Sequence, residues 1–184
     1  MDLRNLLFGH DPLRQQLEHW RPALYRVAYA WCHDRALADD LVQDTLVKAM
    51  CKRAQLRDSE RLKGWLFAIL NNRFRDHLRR QRVHDDIDEL ADQMPGTLPG
   101  PEDKHATAEV VARVRAAIAA LPLGQRQVVT LVDLEELSYA EVAHALEIPI
   151  GTVMSRLCRA RASLRHALTD DRASAQVIAL RSRR

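Results

Sequence analysis

Residues 137–168 read LSYAEVAHALEIPIGTVMSRLCRARASLRHAL, and the order of caps, breakers and apolar positions in this stretch decides the fold. Ser138 followed three positions later by Glu141 is a capping-box pattern, in which the serine hydroxyl and the glutamate carboxylate satisfy each other's backbone N–H groups at a helix start. Val142, Ala143 and Leu146 give that helix an apolar face. Pro149 lacks a backbone donor and pushes the residue before it out of helical backbone, so the helix ends ahead of it and a second begins near Gly151-Thr152. The spacing predicts helices over 138–147 and 151–168 joined by a tight turn. In the second helix Val153, Leu157, Ala160, Leu164 and Leu168 fall on one side, while Thr152, Ser155, Arg156 and Arg159 share another at i, i+3, i+4, i+7 spacing. Any amphipathic helix places polar residues opposite its stripe, but the preceding helix and turn make this one a helix-turn-helix. Its hydroxyls and guanidinium forks are the groups that reach base edges and phosphates from a recognition helix.

Outward from this segment, apolar residues recur three or four apart and alternating strand patterns are nearly absent, so the chain is expected to be all-α. Further helices are predicted over 12–32, 36–53, 62–82, 106–120 and 123–134. Pro95, Gly96, Pro99, Gly100 and Pro101 lie within seven residues, which excludes continuous helix there. Two small helical domains, 1–83 and 106–170, are therefore expected on either side of a flexible acidic linker, 84–105, with a basic tail, 171–184, at the end. That tail closes on Arg181-Ser-Arg-Arg184 and is expected to be a disordered basic end or a weak DNA contact.

The formal net charge is only +3 over 184 residues, but it is segregated: residues 1–83 carry 16 Lys/Arg against 10 Asp/Glu, residues 84–106 carry 1 against 7, and residues 107–184 carry 11 against 8. Basic blocks flanking an acidic connector attract polyanions locally where the total does not. No stretch approaches the roughly 20 apolar residues that span a bilayer, and Met1 to Pro12 has no leader pattern, so a cytoplasmic protein not integral to a membrane is expected. Cys32, Cys51 and Cys158 have neither disulfide nor zinc-site spacing and are expected to be buried structural thiols. No cofactor, metal or small-molecule substrate is expected.

In the first block, Leu37, Leu41, Val42, Leu46 and Ala49 form a buried stripe, leaving Asp40, Gln43, Asp44 and Val47 as a ridge that suits a basic protein partner, though exposed carboxylates are also the rule on solvated helices. Residues 62–82, LKGWLFAILNNRFRDHLRRQR, interleave Trp65, Phe67 and Phe74 with Arg73, Arg75, Arg79, Arg80 and Arg82. Aromatics and arginines together stack on bases and hold phosphates of single strands. Large rings more often fill cores, which makes the arginines the better DNA candidates.

The stretches LSYAEVAHAL (137–146) and PIGTVMSRLCRAR (149–161), with Leu121-Pro122 and QRQV (125–128) before them, resemble region 4 of extracytoplasmic-function (ECF) sigma factors. The stretch DDLVQDT (39–45) resembles the region 2 segment of the same family, and residues 62–82 resemble the family's −10 helix. The resemblance covers about residues 12–82 and 106–168, in family order, and implies an RNA polymerase sigma factor without enzymatic activity. It implies that Thr152, Ser155, Arg156 and Arg159 contact the −35 element, and that Asp39, Asp40, Leu41, Gln43 and Asp44 dock on the β′ clamp helices of core polymerase, whose β flap is a further partner. It assigns Arg57, Arg61, Lys63, Asn71, Asn72, Arg73, Arg75, Arg79 and Arg80 to the −10 element, with the loop LRDSER (56–61) where the family captures a flipped base. By the same resemblance the linker would thread through the polymerase, although a bare solubilising tether fits its composition equally well, and an anti-sigma factor is the implied regulator. The chain departs from the family at Met50-Cys51, where tryptophan often follows alanine, and at Glu147, where glycine often ends the first helix of the motif. A left-handed backbone at Glu147 would cost about 1–2 kcal/mol.

Two other functions fit parts of the pattern. A stand-alone helix-turn-helix regulator accounts for residues 137–168 but not for the acidic ridge followed by a basic, Trp-containing helix. A metal-dependent nuclease would have to use Asp39, Asp40, Asp44 and His33, or His77 with Asp76, none in an ordered metal spacing.

Overall fold

The computed structural model describes residues 12–56, 58, 61–85 and 107–181; among these every regular element is helical. The chain divides into two compact units between Asp92 and Gln93. Nearly all of the expected linker, and residues 1–11, lie outside the described residues.

The first unit packs α1 (Pro12–Cys32), α2 (Arg35–Cys51) and α3 (Leu62–Asp85) against one another. His33 closes α1 with a positive φ of 56°, and the next residue, Asp34, starts α2 by accepting the Leu37 N–H at 3.0 Å. Leu24, Val27 and Trp31 of α1, Leu41 and Val42 of α2 and Leu66, Phe67, Leu70 and Phe74 of α3 form the core. The Trp31 and Phe74 rings meet at 5.6 Å. Each such side chain contributes about 1.5–3 kcal/mol by leaving water. Thr45, fully buried in α2, satisfies its hydroxyl on the Leu41 carbonyl at 2.7 Å.

The second unit is built around α7 (Ile150–Arg181), which packs against α4 (Thr107–Ala119), α5 (Leu123–Val129) and α6 (Tyr139–Leu146). The expected single helix over 123–134 changes character after Val129: Thr130–Leu134 is a π-helical turn, marked by the Glu135 N–H donating to the Thr130 carbonyl at 3.1 Å. The Thr130 side chain is buried and donates to the Arg126 and Gln127 carbonyls, 2.8 and 3.0 Å away.

The capping box forms as the sequence predicts: the Ser138 N–H donates to Glu141 Oε2 at 2.8 Å and the Glu141 N–H donates to Ser138 Oγ at 3.3 Å. At the other end of α6, Glu147 takes the left-handed backbone, φ 56° and ψ 46°. Its N–H reaches the His144 carbonyl and the Ile148 N–H reaches the Ala143 carbonyl, the paired bonds of a Schellman ending. Glycine would make this ending without strain; here a Cβ is held in it, close to the following carbonyl.

Two expectations are corrected. Cys51 and Cys158 are exposed and Cys32 is half-buried, because each lies off the apolar stripe of its helix; they are not buried structural thiols. The helix expected over 151–168 does not stop at Leu168: α7 runs on to Arg181, continuing the backbone ladder with no proline or glycine to stop it, and residues 182–184 of the tail lie outside the described residues.

Candidate nucleic-acid interface

Only the turn Glu147-Ile148-Pro149 separates α6 from α7, and the Pro149 carbonyl accepts the Thr152 and Val153 N–H groups at 2.8 and 3.1 Å, opening α7 immediately after the proline. Val153, Leu157 and Ala160 are buried on the inner side of α7. Ser155 and Arg159 stand exposed on the outer side, with the Ser155 hydroxyl turned back to the Thr152 carbonyl at 3.1 Å. Thr152 and Arg156 are half-buried and flank that face. The four −35 candidates are thus two outward-facing residues and two at the edges. Sequence reasoning missed Met154 and Cys158, which share the exposed face; Met154 keeps 49% of its surface in solvent. Their positions at i−1 and i+3 of Ser155 were the signal the sequence offered.

Arg161, on the same helix, is committed elsewhere: its guanidinium donates to Asp133 Oδ1 and Oδ2 at 2.6 and 3.1 Å, which holds its pKa above the ordinary arginine value. Arg126 is likewise occupied, donating to the Ala119 and Leu121 carbonyls at 2.7 and 2.9 Å.

In the first unit α3 sorts the −10 candidates. Asn72, Arg75, Arg79 and Arg80 are exposed and share one side by their three- and four-residue spacing. Asp76 sits among them and bridges Arg73 and Arg79 at 2.8 and 2.9 Å. Lys63, at the start of α3, lies 5.3 Å from the centroid of the Trp20 ring, a cation–π contact that the sequence did not announce. Arg61 is exposed beside Asp58, 3.6 Å away, and Arg57 lies outside the described residues. Asn71 is corrected: only 1% exposed, it belongs to the core edge of α3 rather than to an outer surface.

On α2, Asp39, Asp40, Gln43 and Asp44 are exposed, with Val47 63% exposed beside them. Leu41 is corrected in the same way: at 4% exposure it packs inward, so the ridge is presented by its polar neighbours. Among the described residues no three His, Cys, Asp or Glu side chains gather to hold a metal, and no helix is long and apolar enough to cross a membrane.

These three surfaces fall within two family matches: sigma-70 region 2 over residues 17–83 and sigma-70 region 4 over residues 112–164. The ECF RNA polymerase sigma factor EcfG of Rhodopseudomonas palustris is 34% identical over 155 residues, covering 84% of this chain and 83% of that protein. The chain belongs to the ECF sigma factors of the sigma-70 family. This sigma factor is also 35% identical over 147 residues to SigE of Mycolicibacterium smegmatis, a match spanning 79% of this chain but 57% of the longer relative. Among solved structures it is similar to the sigma factor RpoE of Bartonella quintana, determined in complex with the anti-sigma factor NepR, at a TM-score of 0.72 and 31% identity over 86% of this chain and 97% of that one. Membership favours a sigma factor over a stand-alone regulator built on the same helix-turn-helix.

Proposed function

We propose that this sigma factor directs core RNA polymerase to promoters that carry its own −10 and −35 elements, and that it does so without enzymatic activity, in the cytoplasm. The observation that carries the reading is that the region 2 and region 4 matches fall one on each compact unit, each with its own outward polar face. The exposed Asp39, Asp40, Gln43 and Asp44 ridge of α2 suits the basic clamp helices of the β′ subunit. Asn72, Arg75, Arg79 and Arg80 of α3 suit the phosphates and bases of an opened −10 strand, and single-strand contacts of this kind offset the few kcal/mol that extruding a base costs. Thr152, Ser155, Arg156 and Arg159 of α7 suit the −35 duplex, read through its major groove. Residues 84–105 tether the two units within the polymerase, and region 4 also rests on the β flap. An anti-sigma factor holds the chain inactive, a reading supported by the relative solved with one.

Retention of a labelled promoter fragment tests this. The chain alone and core enzyme alone should retain it weakly and without preference, whereas the two together should retain it in preference to a fragment with both elements scrambled. Equal, sequence-specific retention by the chain alone would contradict the reading.

A further inference from the structure

Gly124 is the second residue of α5, and a Cβ built on it would lie 2.9 Å from Nη1, 3.0 Å from Cζ and 3.3 Å from Nε of Arg156. Its backbone does not need glycine, because no described glycine has a positive φ. What the missing side chain provides is room for a guanidinium. Gly151 makes the contrast, since a Cβ there would meet nothing within 4 Å.

Arg156 differs from the other arginines near it. Arg161 is bonded to Asp133 and Arg126 to two carbonyls, whereas Arg156 makes no hydrogen bond or ion pair among the described residues although it is half-buried. On α7 it stands about 100° around the helix from Ser155, toward the edge that meets α5. A guanidinium at the flank of a groove-reading helix faces the sugar-phosphate backbone rather than the base edges at the groove floor, and phosphate contacts fix register without reading sequence.

We propose that Gly124 is a positioning residue: by leaving space for the Arg156 guanidinium against the first turn of α5, it holds that side chain as a phosphate clamp beside the −35 element. This rests on the −35 assignment of α7 and divides its residues, giving the outward Ser155 and Arg159 to bases and the flanking Arg156 to the backbone.

The test uses full-length protein reconstituted with core polymerase, comparing wild type, Gly124→Ala, Arg156→Ala and the double variant. Affinity is measured over a salt series on a promoter and on the same promoter with its −35 element scrambled. Arg156→Ala should weaken both fragments alike, by about tenfold, and reduce the slope of log K against log salt by about one. Gly124→Ala should give a part of the same loss and the same flattened slope, and add nothing when Arg156 is already alanine. Its melting temperature should be unchanged or raised, because alanine is the better helix former, which separates lost positioning from lost folding. Wild-type affinity and slope in Gly124→Ala, or a loss that persists in the Arg156→Ala background, would overturn the positioning role. A change in Arg156→Ala confined to the intact −35 element would make that residue a base reader and overturn the clamp. Wild type that shows no preference for the promoter when bound to core would instead overturn the sigma reading on which the clamp depends.

Discussion

Arg161 and Asp133, 28 residues apart, are joined by two hydrogen bonds at 2.6 and 3.1 Å, a bidentate pair that ties α7 to the π-helical turn after α5. Both side chains keep solvent contact, 49% and 33%, so the pair is screened and its worth is modest. Asp133→Asn should lower stability by about 0.5–1 kcal/mol, and a double-mutant cycle with Arg161→Gln should return a coupling of similar size that shrinks as salt rises. Urea unfolding of the full chain measures it. Because the partner raises the arginine pKa, the contribution is complete below the ordinary arginine range and is lost only as pH climbs through a still more alkaline value. It should therefore stay flat through neutral pH.

Glu147 ends α6 in a conformation that costs a side-chain-bearing residue about 1–2 kcal/mol. Glu147→Gly should stabilise the chain by about 1 kcal/mol, read as an upward shift in melting temperature. An unchanged or lower melting temperature would mean that the glutamate's own interactions outweigh the strain.

Ser138→Ala removes the hydroxyl that caps α6 and leaves the Glu141 N–H without it. The expected loss is about 1 kcal/mol. Ser138→Asp, which retains a capping oxygen, should recover most of it in the same unfolding measurement.

Adjacent asparagines on α3 should behave oppositely. Asn71, buried, should cost about 1–3 kcal/mol of stability as alanine, because truncation leaves its partners unsatisfied. Asn72→Ala, Arg75→Ala and Arg79→Ala, all exposed, should change stability by no more than about 0.5 kcal/mol yet weaken binding of a single-stranded −10 fragment by the holoenzyme. Asn72→Ala that unfolds the chain, or an Arg75→Ala, Arg79→Ala pair that binds as wild type, would contradict the assignment of this face.

What could be read from the sequence was what local chemistry dictates. Ser138, Glu141 and Pro149 act on backbone within a few residues of themselves, so the helix-turn-helix was legible before any packing was known, whereas the left-handed junction at Glu147 was signalled only by the family resemblance, in which glycine often stands there. The π-helical turn was not, because Thr130–Leu134 continues the apolar periodicity of α5 and differs only in hydrogen-bond register. Asn71 and Asn72 are chemically identical and one helical step apart, and only the seating of α3 on α1 and α2 buries the first. Lys63 with Trp20, and Arg156 with Gly124, join positions distant in sequence, and neither pair leaves a local mark. The thiols were misread because a small sulfur side chain is usually buried, and here Cys51 and Cys158 lie off the stripes that pack.

The most direct measurement is to sequence the 5′ ends of transcripts made from a promoter library by core RNA polymerase with and without the purified chain. The account predicts new start sites that share one −10 and one −35 element, with use of the −35 element selectively weakened by Arg159→Ala. A chain that is free of inhibitor, yet neither binds core polymerase nor adds a start site, would contradict it.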